Sequence, residues 1–126
     1  MSQILLIDDN PVQLSVRETV LRNAGFTVAV ATTAESALAT LRVLGDRVGL
    51  IITDHIMPGR SGAHFVRDLR KESDSVPVIV LSGLAEAEQE YEGLNVLFRQ
   101  KPLPPPELIE LVRETISRGQ NKAGAA

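Results

Sequence analysis

The chain contains no cysteine, so disulfides, thiolate metal sites and thiol nucleophiles are excluded from the outset. It has no basic excess either. With 13 Lys and Arg against 16 Asp and Glu, the net charge is −3, whereas a nucleic-acid footprint would be basic and clustered. No apolar run approaches the ~20 residues of a membrane-spanning helix. The opening MSQILLIDD enters a strand with no basic region followed by a long apolar segment, so a cytoplasmic protein with no membrane partner is expected. Only two histidines are present, His55 and His64, without HxxxH-type spacing. Both read as ordinary surface or loop residues rather than metal ligands. No internal repeat or second-domain boundary is visible, and nothing after residue 118 resembles a DNA-binding helix-turn-helix.

What is present is an alternation of short apolar runs with helix-period segments over 126 residues, enough for one domain with a substantial core. QILLI (3–7), TVAVA (27–31), GLIIT (49–53), VPVIVL (76–81) and LNVLF (94–98) read as strands. Asn10-Pro11 opens a first helix, with Asn as N-cap and Pro at the first helical position, and Gly25 ends it. Its apolar stripe is taken as Val12, Val16, Val20, Leu21 and Ala24. Thr32 and Glu35 have capping-box spacing before Ala34, Ala37, Leu38 and Leu41. Phe65, Val66 and Leu69 mark a third helix ending near Glu72. Residues 84–92 are helix-prone but short and acidic, and they look like a solvated face, Tyr91 included. Leu108, Leu111, Val112 and Ile116 belong to a last helix, and 119–126 is expected to be a disordered tail beyond a domain spanning 1–118. Five βα units imply a parallel sheet covered on both faces, doubly wound in the order 2-1-3-4-5.

Several strand ends carry chemistry. ILLI runs into Asp8-Asp9, LIIT into Asp54, VIVL into Ser82, and VLFRQ into Lys101-Pro102. Open α/β sheets bind ligands beyond the carboxyl ends of their strands, and Asp8, Asp9 and Asp54 fall at the switch point between strands one and three. Two like charges ~4 Å apart repel by roughly 4 kcal/mol at an effective dielectric near 20, so three carboxylates at one rim call for a cation. A hard oxygen cage with few protein ligands suits Mg²⁺. Asp54 stands alone at its strand end and is the best nucleophile toward phosphorus. Taken singly, Lys101 reads as a solvated lysine and Ser82 as a helix cap. Their joint position after strands four and five turns them toward a phosphoryl group.

IDDN (7–10), TDHIMPGRSG (53–62), VIVLSG (78–83) and KPL (101–103) resemble the receiver domain of two-component response regulators, over residues 3–118. The resemblance implies that Asp54 is the phosphoacceptor. It implies that Asp9, Asp54 and the backbone carbonyl of Ile56 ligate Mg²⁺, with Asp8 acting through water. Ser82 and Lys101 would bind phosphoryl oxygens, Gly83 would leave room for them, and the Lys101-Pro102 peptide would be cis. Ser82 and Phe98 would be the switch residues. The implied partners are a histidine kinase or histidine phosphotransfer protein and an unknown downstream protein. A monomer or weak homodimer is expected, with no enzymatic role beyond its own phosphorylation and dephosphorylation.

The chain departs from the family pattern in two places. The interval between Ser82 and Lys101 is short, so the fourth helix is expected to lose about a turn or become a loop, and the segment to be mobile. Ile56 and Leu84 offer no polar group to orient a hydrolytic water, so slow autodephosphorylation is expected. The chain would be a single-domain regulator, a relay protein, or a receiver cut from a larger protein such as a hybrid kinase. Two rivals belong to other classes. One is a receiver-like module that binds protein without phosphorylation. The other is an aspartyl-nucleophile Mg²⁺ phosphatase, which would want Asp-x-Asp after strand one and a cap domain.

Overall fold

Strands buried on both faces are near-continuous apolar runs, because each face must meet a helical layer. The computed structural model, which describes residues 3–57 and 59–125 with side chains as far as 118, has this arrangement. Strands β1 (Gln3–Ile7), β2 (Thr27–Ala31), β3 (Val48–Asp54), β4 (Val78–Ser82) and β5 (Leu97–Gln100) form one parallel sheet in the order β2-β1-β3-β4-β5. Helices α1 (Pro11–Asn23), α2 (Ala34–Leu44), α3 (Gly62–Glu72) and α4 (Pro105–Ala125) cover it. The period of two divides each strand between two cores. Leu5, Ile7, Ile51, Val78 and Val80 pack with α2 and α3, while Ile4, Leu6, Leu50, Ile52, Ile79 and Leu81 pack with α1 and α4. Each such side chain contributes roughly 1.5–3 kcal/mol by leaving water.

Asn10 caps α1 as expected, its side chain accepting the N–H groups of Val12 and Gln13. The apolar stripe of this helix is a correction. Val12 is 71% and Val16 56% exposed, and the buried residues are Leu14 and Leu21. The helical phase of the core runs through positions 14, 17 and 21, and the polar Arg17 in the middle of it disguised the inward face. A second correction concerns α2, which Thr33 caps by accepting the N–H of Ser36, while Glu35 pairs with Arg60 at 3.2 Å instead of closing a box.

The fourth helix is replaced by a 3-10 segment, Ala85–Tyr91. Its glutamates are exposed as expected, but Tyr91 is not part of that solvated face: it is buried, as is Ala87. β5 begins three residues later than the apolar run suggests. Gly93 and Asn95 take positive φ values of 80° and 57°, which turns the chain before it can pair. Arg70 fastens this turn by donating to the carbonyls of Leu94, Asn95 and Val76. Burial lowers the pKa of that guanidinium, but its ordinary value is high enough to keep it charged. At the carboxyl end of the chain, α4 has a helical backbone through Ala125, where a disordered tail was expected from 119. Residues 119–125 include one glycine near each end but no proline, and a glycine costs a helix only about 1 kcal/mol. Position 126 lies outside the described residues.

Candidate functional site

The parallel sheet delivers its strand ends to one rim, and the reversal of strand order opens a crevice between β1 and β3. Asp8 follows β1. Its main-chain N–H donates to the Ala31 carbonyl at 3.2 Å, and its Oδ1 accepts the N–H of Asn10 at 2.9 Å. Asp54 is the last residue of β3 and pairs in register with Leu81 of β4. Both acids are buried and Asp9 is exposed. One carboxylate oxygen from each of Asp8, Asp9 and Asp54 lies within 4.8 Å of the others. Three oxygen donors, with one member open to solvent, fit a hard divalent cation that keeps several of its waters.

The electrostatics of the cradle follow from this crowding. Burial, and then the hydrogen-bonded carboxyl of Asp54, push the pKa of Asp8 up to about 6. Lys101 Nζ stands 2.7 Å from Asp54 Oδ1. Its position is set by β5 and the turn after it, where the Lys101 N–H donates to the Ser82 carbonyl at 2.7 Å and the Lys101-Pro102 peptide is cis. Ser82 ends β4 and is buried. Its hydroxyl accepts the Leu84 N–H at 3.0 Å and lies 3.2 Å from the Leu84 carbonyl, a local turn that holds it at the rim.

The Ile56 side chain is 67% exposed, two residues beyond Asp54. A Cβ at Gly83 would meet nothing within 4 Å, so packing does not demand glycine there. Phe98 is half-buried in β5, its ring centroid 5.8 Å from that of Tyr91.

Two readings are corrected at this site. His55 and Tyr91 are both buried, with His55 Nδ1 2.6 Å from the Tyr91 hydroxyl and the rings edge to face. His55 Nε2 lies 3.3 Å from Glu90 Oε2. The 3-10 segment lies over the loop after β3, which buries a histidine and a tyrosine 36 positions apart. His64, by contrast, is on the surface as expected. Gly62 makes the close approach possible. A Cβ there would come 2.5 Å from the Tyr91 hydroxyl and 2.6 Å from the Asp54 carbonyl.

One residue of the site escaped the sequence reading. Arg17, on α1, places Nη1 2.8 Å from Asp8 Oδ2 and 3.3 Å from Asp54 Oδ1. The available signal was its spacing, three residues after Leu14 and four before Leu21, at the core phase of a helix.

Residues 4–113 match the family model described as the response regulator receiver domain. The chain is 32% identical over 123 residues to the DNA-binding response regulator MtrA of Mycolicibacterium smegmatis, covering 95% of this chain and 53% of that protein. It is 30% identical over 131 residues to the alkaline phosphatase synthesis transcriptional regulatory protein SphR of Synechococcus elongatus, covering 96% and 51%. The chain thus spans about half the length of these curated relatives, and about a fifth of others. Among solved structures, the receiver domain of the hybrid histidine kinase CckA is similar with a TM-score of 0.78 at 30% identity, over 91% of this chain and 99% of that one. A CheY-like receiver domain protein of Methanospirillum hungatei shares the fold, with a TM-score of 0.87 at 22% identity over 97% and 98% of the two chains.

Proposed function

The chain belongs to the response regulator receiver domain family of two-component signalling, and from that premise we propose that Asp54 accepts a phosphoryl group from a phosphohistidine. The observation that carries this reading is the convergence of the Asp8, Asp9 and Asp54 oxygens within 4.8 Å, with Lys101 Nζ 2.7 Å from Asp54. In the transfer, an Asp54 carboxylate oxygen bonds to phosphorus as the bond from phosphorus to the donor imidazole nitrogen breaks, and the electron pair leaves with that nitrogen. Asp8, Asp9, Asp54 and the Ile56 carbonyl would hold Mg²⁺, which when bound supplies positive charge to the transferring group. Lys101 donates to a phosphoryl oxygen from the side of β5, and the Ser82 hydroxyl gives up its turn to Leu84 to donate from β4.

The donor, a histidine kinase or phosphotransfer protein, docks beside the rim in this reading. Val12 and Val16 of α1, with Leu103 and Pro105, line a shallow apolar groove of about 260 Å³ next to Lys101. The signal leaves through Ser82 and Phe98, by way of Tyr91 and the 3-10 segment rather than a full fourth helix. No helix among the described residues is long and apolar enough to cross a membrane. The complete acid set and Lys101 count against a module that binds without phosphorylation. The adjacent acids after β1 count against a phosphatase needing Asp-x-Asp.

Incubation with Mg²⁺ and acetyl phosphate, followed by intact mass, tests the proposal. The expected result is one added phosphoryl group, lost in Asp54→Ala. Labelling that survives the substitution, or none in the wild type, overturns it.

A further inference from the structure

We infer that Arg17 is a resident counter-ion of the acidic cradle that Mg²⁺ must displace, so that this arginine sets the metal affinity of the site. The inference rests on reading Asp8, Asp9 and Asp54 as the metal cradle, and adds a residue to it.

The four carboxylate oxygens of the two buried acids already have partners. Asp8 Oδ1 takes the Asn10 N–H, a main-chain donor fixed by the start of α1. Asp8 Oδ2 takes Arg17 Nη1 at 2.8 Å. Asp54 Oδ1 is shared by Lys101 Nζ at 2.7 Å and Arg17 Nη1 at 3.3 Å, and Oδ2 lies 3.5 Å from the same Nη1. All three Arg17 contacts go through one nitrogen, which stands between Asp8 and Asp54 as a point cation would. A divalent ion drawing on those two acids competes for the same oxygens. The main-chain donor cannot leave without unwinding the helix start, and Lys101 approaches only Asp54. Arg17 is the group that gives way.

Charge points the same way. Three carboxylates face the guanidinium and the ammonium, which leaves one negative charge over. A divalent cation added to both would leave one positive charge over, whereas exchange for Arg17 brings the cradle to neutrality. Arg17 has a side chain long enough to withdraw, and its side chain is 17% exposed, so a path to solvent exists. Its location at a core phase of α1, among Leu14 and Leu21, shows that the helix spends an inward position on this cation rather than on packing.

The test measures metal binding directly. Mg²⁺ is titrated calorimetrically into the wild type, Arg17→Gln and Asp9→Asn, at fixed ionic strength and neutral pH. We expect Arg17→Gln to bind at least about tenfold tighter than wild type, ~1.4 kcal/mol. Metal-free Arg17→Gln should also melt lower than wild type, and Mg²⁺ should raise its melting temperature more. Should the variant fold poorly without metal, the wild type alone decides. The side-chain NMR signals of Arg17 should move on Mg²⁺ addition and saturate with the calorimetric affinity. Equal or weaker binding in Arg17→Gln, or Arg17 signals indifferent to Mg²⁺, overturns the inference. Binding that Asp9→Asn abolishes and Arg17→Gln leaves unchanged sinks only this role for Arg17. Binding absent from the wild type, or indifferent to Asp9→Asn, sinks the metal cradle itself.

Discussion

Lys101 Nζ lies 2.7 Å from Asp54 Oδ1, although the two residues leave the sheet at the ends of strands separated by β4. The contact depends on the register that sets Asp54 opposite Leu81 and Ser82 opposite Gln100. Replacing Lys101 by Ala removes a preplaced cation from the transferring group. The initial rate of acetyl phosphate labelling should fall at least about tenfold, as for loss of a positioned donor. An unchanged rate in a mass-spectrometric time course would remove Lys101 from the chemistry.

Asp8 carries a pH signature. Its pKa is raised from 3.8 to about 6, so the fold favours the protonated carboxyl. Its contribution is fully present below pH 4 and is lost as pH rises through 6, on the order of 3 kcal/mol. In metal-free protein, the melting temperature of the wild type minus that of Asp8→Asn should therefore fall between pH 4 and 6. Mg²⁺ needs the ionised form, so metal affinity should weaken below pH 6. A flat difference curve would refute the assignment to Asp8.

The hydrogen bond between His55 and Tyr91, 2.6 Å long and buried, ties the loop after β3 to the 3-10 segment. Tyr91→Phe keeps the ring but leaves a buried imidazole nitrogen without its partner. It should cost about 1–3 kcal/mol in urea unfolding. Amide exchange across 85–91 should quicken in the variant, and matching exchange in both proteins would show that the bond does not fasten the segment.

Two glycines make opposite predictions. Gly62→Ala drives a Cβ into the Asp54 carbonyl and the Tyr91 hydroxyl, so backbone must shift, at a cost of about 1–3 kcal/mol or more. Gly83→Ala enters open space and should stay within about 0.5 kcal/mol of wild type. Chemical unfolding of the pair checks both, and equal losses would contradict the local geometry.

Ile56 and Leu84 are exposed and apolar beside Asp54 and Ser82, with no side-chain group to align a water. The phosphorylated protein, isolated from acetyl phosphate, should decay over minutes or longer by intact mass. A half-life of seconds would show that another group positions the water.

Most of the architecture was legible because a doubly wound parallel sheet writes itself as apolar runs alternating with helix periods. The acids, Ser82 and Lys101 were legible because such a sheet carries strand ends to one rim. What misled was local. The valines at 12 and 16 have helical spacing yet face outward, since the pattern cannot say which side of α1 meets the sheet. β5 starts late because turn geometry at Gly93 and Asn95, fastened by Arg70, overrides the apolar run before it.

The order of elements is written in short-range periodicity, and the connection rules of βα units extend it to the sheet order and to the rim where charge collects. Only the tertiary structure decided that His55 and Tyr91 are a buried pair and that Arg17 sits between Asp8 and Asp54. Those contacts join residues 36 and 37 positions apart, and one between Arg17 and Asp8 spans nearly two helix turns and the loop before them. Their existence depends on how elements pack across the crevice, which no local pattern of residues records.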